Sequence, residues 1–254
     1  MGTPNHTHLK GVDVAVDAAV ARLVSLDAVG GRYRISMPVT LCTGSMVDVS
    51  VWAEPGGTFM VSDDGTAHFE ATLAMVSERT FGAVARAKIT PYGALFDGHS
   101  MLFIRVGAER LHGAIVAMAS LIKEVVDEAI ARAARAKAAS TINTLYERIG
   151  MAFPNAEVQH HAGMIGASTA EYEVDAVVKT DRGLLVFDMF TKDPISIAAT
   201  FTKLSDLSRL EQAPRLIAVT PTPEMVGPKL QLISSVAPII RPDATIETYL
   251  KAAA

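Results

Sequence analysis

The chain has 254 residues, half of them apolar and a fifth charged, enough to bury two ordinary cores or one large one, and too apolar for disorder. Its formal net charge is −4, with 13 Lys and Arg against 14 Asp and Glu in residues 1–139, and 10 against 13 in residues 140–254. Neither half is a basic arm for duplex DNA, although a local basic groove is compatible with this balance.

No stretch reaches the ~18–20 apolar residues of a membrane span, and Met1 to Lys10 hold no apolar signal core. The expected location is therefore cytoplasmic, away from any membrane. Residues 10–26 place Val12, Val16, Ala19, Val20 and Leu23 at helical spacing, and Gly30-Gly31 is expected to stop that helix. Met37–Thr43 and Met46–Ala53 read as strands joined by a turn at Thr43-Gly44-Ser45, and Thr58–Val61 as a third. Cys42, the only cysteine, falls in the first of these apolar strands and is expected to be buried and inert. One cysteine excludes an intramolecular disulfide and a Cys-based zinc site.

Ser62-Asp63-Asp64-Gly65 closes the third strand. Two adjacent carboxylates could hold a cation. Turn chemistry favours the other reading, in which Asp-Gly supplies a left-handed bend and Asp63 or Asp64 caps a helix beginning near Ala67. That helix is expected over His68–Glu78, followed by strands at Ala87–Tyr92 and Met101–Val106. From Glu109 to Ser140 a helical pattern runs without proline. Leu111, Ile115, Met118, Ile122, Val125 and Ala129 alternate at four and three, a coiled-coil-like seam that suggests a homodimer. A second series (Val116, Leu121, Val126, Ile130) makes the helix apolar on more than one side. Arg132, Arg135 and Lys137 near its end suit the helix C-terminus.

The order strand, turn, strand, then Phe59-Met-Val-Ser-Asp-Asp-Gly-Thr entering a helix resembles the N-terminal module of an uncharacterised bacterial and phage family. Ile89-Thr-Pro-Tyr-Gly, Met101-Leu-Phe-Ile-Arg-Val and Leu111-His-Gly-Ala-Ile continue the likeness over roughly residues 30–125. The resemblance implies an architecture with a second module following, and no activity. Its phage and mobile-element settings imply defence or counter-defence biology.

A division near residue 139 separates this α/β module from a second domain, 140–254. There Ser140 is expected to cap a helix running to Gly150, with Ile142, Leu145, Tyr146 and Ile149 as its apolar stripe. Strands are expected at Glu157–Met164, Tyr172–Lys179 and Leu184–Phe190. A helix over Ile195–Gln212 begins beside Pro194, and a buried strand follows at Arg215–Thr220. Helices Glu224–Val236 and Ala244–Leu250 flank a short strand, Pro238–Arg241. The fold class is α/β (α+β).

The αβββαβ order of this second domain resembles the restriction-endonuclease-like core of the PD-(D/E)XK nucleases. By that resemblance, an acid on the second strand and one on the third hold a divalent metal, Mg or Mn. A lysine two residues after the second acid, on the same strand face, helps activate water. The two acids fall on Asp175 and Asp188, and Glu147 is the corresponding helical acid. The lysine position is Phe190, which cannot stabilise a hydroxide. Lys192, further along the strand, and Lys203, on the next helix, are the candidate substitutes, with Lys179 more distant. Asp175 and Asp188 each interrupt an apolar run, where a lone carboxylate is costly unless paired. His160 and His161 are adjacent on a strand, so at most one is expected to join such a site.

The chain has no Walker-type loop, G-x-G-x-x-G, G-x-S-x-G elbow or H-E-x-x-H motif. The expectation is a non-catalytic or weakly catalytic nuclease-fold protein that binds nucleic acid or a nucleic-acid-handling protein. The alternatives are a divalent-metal DNase using Asp175, Asp188 and Lys192 or Lys203, and a protein-binding inhibitor of a host defence complex. Acidic surfaces can occupy basic nucleic-acid channels.

Overall fold

Residues 23–254 and Ala19 are described by a computed structural model. The helix expected over residues 10–26 therefore lies mostly outside the described residues, and its last two positions belong to a strand. The chain divides into two compact units, residues 1–136 and 137–254, and is of mixed α and β structure.

The first unit carries a six-stranded sheet in the order β1-β2-β3-β4-β6-β5, antiparallel throughout. Its strands are β1 (Ser25–Val29), β2 (Arg32–Thr40), β3 (Met46–Glu54), β4 (Thr58–Ser62), β5 (Leu95–Phe96) and β6 (Leu102–Gly107). Gly30 and Gly31 do not end a helix. With φ of 61° and 78° they form the two-residue turn between β1 and β2, where Val29 pairs with Arg32. Only residues at ease with positive φ at both positions give this turn the twist of its flanking strands.

Val47, Val49 and Val51 of β3 alternate into a core completed by Val61, Leu102 and Ile104. Cys42 is exposed in the turn after β2, contrary to expectation, because β2 ends at Thr40 with an irregular register against β3. Partial burial, and then Asp127, push its thiol pKa up, away from the reactive thiolate.

Helix α1 (Thr66–Leu73) follows the acidic turn. Asp63 is 1% exposed. It accepts the backbone N–H groups of Leu102 at 2.8 Å, Gly65 at 3.2 Å and Ala67 at 3.1 Å, binding turn, helix start and β6 together. Asp64 instead pairs with exposed Arg32 at 3.0 Å.

A second helix, α2 (Glu78–Lys88), covers part of the segment expected to be a strand. Ser77 caps it by accepting from Thr80, and Phe81, Val84 and Ala85 are its buried face. The remainder of Ala87–Tyr92 is a 3₁₀ turn containing Pro91.

Helix α3 is continuous from Leu111 to Ala152. Ser140 caps nothing: it lies mid-helix, its carbonyl accepting from Thr144. Between Gly113 and Gly150 no glycine or proline breaks the helix, and alanine is frequent from residue 131 to 139. The division between the two units falls inside this helix. Met118, Ile122, Val125 and Ala129, the seam expected to meet a second copy, are buried in the first unit's own core together with Leu121 and Val126.

The second unit holds a five-stranded sheet in the order β11-β10-β9-β8-β7. Its strands are β7 (Glu157–Ile165), β8 (Glu171–Thr180), β9 (Gly183–Met189), β10 (Arg215–Val219) and β11 (Ile239–Ile240). β8 runs antiparallel to β7 and β9, whereas β9, β10 and β11 are parallel.

Helix α4 (Pro194–Leu207) starts where Asp193 accepts from Ile195 and Ser196, with Pro194 in the first turn. Short helices α5 (Pro223–Val226) and α6 (Leu230–Ser234) replace the single helix expected there, separated by a 3₁₀ turn at Gly227-Pro228. Helix α7 (Ile246–Ala253) ends the chain.

One sheet face packs Val186, Phe190 and Leu216 under Leu204 and Leu207 of α4. The opposite face packs Ala176, Val178 and Phe187 against Leu145 and Ile149 of α3 and Tyr249 of α7. Among the described residues no helix is long and apolar enough to cross a membrane.

Candidate functional site

β9 alternates without interruption. Val186, Asp188 and Phe190 face α4, while Leu185, Phe187 and Met189 face α3 and α7. Phe190, two residues after Asp188, is 1% exposed and fills the core beneath α4. No cation fits there without losing that packing.

The neighbouring strands do not alternate so simply. On β8, Val174 packs on the α4 side and Ala176 on the other; on β7, Val158 and Ala162 are likewise divided. Both strands change face at one rung, between the pairs His160–Ala176 and Ala162–Val174. His161 occupies that rung with φ of 50°, a left-handed conformation uncommon outside glycine and frequent where function imposes strain.

The same level is where β8 and β9 part. Their ladder ends at Ala176–Phe187, so Asp175 and Asp188 stand across the opening from each other. Asp175 Oδ2 accepts the Met189 N–H at 2.6 Å, a side chain substituting for a backbone carbonyl. Lys203 reaches down from α4 into the same gap. Its Nζ donates to Asp188 Oδ1 at 2.7 Å and to the Glu173 carbonyl of β8, so one ammonium ties both diverging strands. Thr200, one turn earlier on α4, donates to Asp188 Oδ2 at 3.2 Å.

Asp188 is 1% exposed, and the Lys203 side chain 19%. Burial raises the Asp188 carboxyl pKa, the Lys203 ammonium opposes that rise, and the nearby Asp175 charge adds to it. Such a pair is strongly destabilising to break from one side, because the remaining charge stays buried.

Of the residues singled out from sequence, Asp175, Asp188 and Lys203 come together. Lys192 is exposed beyond the end of β9, in the bend before α4, and Lys179 is exposed near the far end of β8. Glu147 is exposed too. It lies two residues from Leu145, about 200° round the helix at ~100° per residue, so it points away from the sheet that Leu145 packs on. Among the described residues no three His, Cys, Asp or Glu side chains converge as a metal-holding group.

The residue of α3 that does meet this region is Tyr146. Its hydroxyl donates to the Asp175 carbonyl at 3.2 Å and lies 3.3 Å from His161 Nε2. Its ring stacks on His160 with centroids 3.7 Å apart and planes 5° from parallel. His161 Nδ1 sits 3.1 Å from Glu173 Oε1. Both imidazoles thus gather around one tyrosine, where strand alternation would have separated them; the positive φ at His161 is the reason. Burial, then the Asp175 and Glu173 charges, raise the Tyr146 pKa, keeping its phenol protonated. Nothing in the apolar stripe Ile142-Leu145-Ile149 distinguishes Tyr146 as a polar contact; its hydroxyl was the only signal.

No family model, curated protein or solved structure matches this chain, so its function is argued from the geometry of this cluster.

Proposed function

We propose that the second unit is a nuclease-fold domain in which Lys203 occupies the catalytic corner, and that the chain binds nucleic acid, or a protein that handles it, without cutting. The observation carrying this reading is the 2.7 Å pair between Lys203 and a buried Asp188, set beside Asp175 where two strands separate. Two facing carboxylates repel and need a cation between or beside them. In a metal-dependent nuclease that cation is the divalent ion; here an ammonium neutralises one acid, and a backbone N–H engages the other. The αβββαβ element order supports the same reading.

The experiment is incubation of the full chain with labelled single- and double-stranded DNA in Mn²⁺, following mobility shift and product together. Retarded complexes with intact DNA are expected. Neither binding nor cleavage would remove the nucleic-acid reading, and pull-down from nuclease-treated host lysate would then test the inhibitor alternative.

A second reading is favoured by one specific contact. Lys203 reaches the third-strand acid from the following helix, where a relocated water-activating lysine would stand. Under this reading the protein is a Mg²⁺- or Mn²⁺-dependent DNase, and product forms that disappears in both Asp175→Ala and Lys203→Ala. Among the described residues, Lys192 has no contact supporting such a role.

A further inference from the structure

The first unit contains a cleft of about 490 Å³ lined by His68 of α1, Glu78, Arg79, Gly82 and Arg86 of α2, and Gly98, His99 and Ser100. Among the described residues neither Arg79 nor Arg86 forms an ion pair, whereas Arg32, Arg105, Arg110 and Arg135 of this unit do. Glu78 is the one carboxylate in its lining, and the Asp97 carboxylate stands behind the loop that carries His99 and Ser100. In a chain of net charge −4, two guanidinium groups without an ion-pair partner line one cavity beside two imidazoles.

The cleft is also held in shape. The Arg86 guanidinium lies over the Phe96 ring, 5.5 Å from its centroid. A Cβ on Gly82 would stand 3.2 Å from Arg86 Nη1, so glycine leaves the space in which that arginine rests. Across the cleft, the Asp97 carboxylate accepts the backbone N–H groups of His99, Ser100 and Met101 at 2.8–3.0 Å. That fixes the loop presenting His99 and Ser100. His68 is set edge-on to Phe81, with centroids 5.1 Å apart.

We propose that this cleft binds a phosphomonoester of nucleotide size. Planar guanidinium groups match phosphate oxygens two at a time, and that of Arg86 is already held over the Phe96 ring. At roughly 30 Å³ per water, the cavity holds far more than one phosphate group, leaving space for a sugar and base.

Calorimetric titration of the full chain with adenosine 5′-monophosphate, inorganic phosphate and adenosine tests this. The monophosphate is expected to bind, adenosine not to. Arg79→Ala and Arg86→Ala should each weaken binding about 10- to 100-fold, the loss expected for a charge-assisted hydrogen bond. Gly82→Ala should weaken it less while leaving α2 intact, since alanine favours a helix. Inorganic phosphate binding as tightly as the monophosphate overturns the nucleotide assignment, because the sugar and base would then add nothing. Absence of binding by both anions at millimolar concentration, or unchanged affinity in both arginine variants, overturns the proposal. All three substitutions lie in the first unit, so their outcome is independent of the Asp175, Asp188 and Lys203 reading.

Discussion

Lys203 makes two bonds, one to a buried carboxylate that Thr200 also reaches and one to a carbonyl at the edge of a broken ladder. Lys203→Met keeps the stem and removes the charge, leaving Asp188 buried with only a threonine hydroxyl. Unfolding of the second unit should then need less denaturant, with a loss of about 3–5 kcal/mol, the cost of removing one side of a buried pair. A loss below ~1 kcal/mol would mean that water already reaches Asp188.

In the first unit, burial pushes the Asp63 carboxyl up to about 6 from its ordinary 3.8, despite its three N–H donors. Between those two values the folded state binds more protons than the unfolded, so this group's contribution makes stability fall as pH rises through the window. Acidification from pH 7 to pH 5 should therefore favour the folded first unit through Asp63. Trp52, the only tryptophan, lies on β3 and reports that unit by fluorescence. In Asp63→Asn the Asp63 increment should vanish, and stability at pH 5 should drop by about 1–3 kcal/mol, because an amide cannot accept all three N–H bonds. An unchanged pH profile in that variant would assign the dependence to other groups.

At the scale of elements, the loop between β7 and β8 is tied to α4 by Asp206, which accepts the Ser168 backbone N–H at 3.0 Å and its hydroxyl at 2.6 Å. Gly166 is what lets them meet: a Cβ there would lie 2.0 Å from Asp206 Oδ2. Gly166→Ala should destabilise the second unit by about 1–3 kcal/mol, as overpacking does, and urea unfolding measures it.

Elements with one dominant signal were legible in the sequence. The strands of the second unit, with apolar runs and turn residues between them, lie within a few residues of where periodicity places them. The acidic turn is the helix-organising turn that its chemistry favoured. Where two signals competed, local reading failed. Gly30-Gly31 serves equally as a helix stop or a hairpin turn, and pairing with β2 decides it. Ser77-Glu78 opens a helix through a cap that the β-rich pattern downstream obscured. Ser140 has the chemistry of a cap but no break before it, so α3 passes through. In the site, Asp175 and Asp188 were marked by their apolar surroundings. The meeting with Lys203 depends on α4 crossing the sheet, which no local pattern encodes. Glu147 lies two residues from Leu145, so helical periodicity already set it off from the sheet-facing stripe.

For the molecule as a whole, the long seam of α3 is spent inside the first unit. Ile122→Ala should therefore cost about 2–5 kcal/mol, as truncation in a packed core does. A substitution without effect on unfolding would return that seam to the surface.

In the proposed reading, an ammonium stands where a nuclease would hold its metal. Calorimetric titration of Mn²⁺ into wild type and Lys203→Met tests it most directly, at equal protein concentration and with both shown to be folded. Negligible heat is expected for wild type, and measurable uptake for Lys203→Met that disappears when Asp175→Ala is added. Stoichiometric Mn²⁺ binding by wild type that is lost in Asp175→Ala would contradict it.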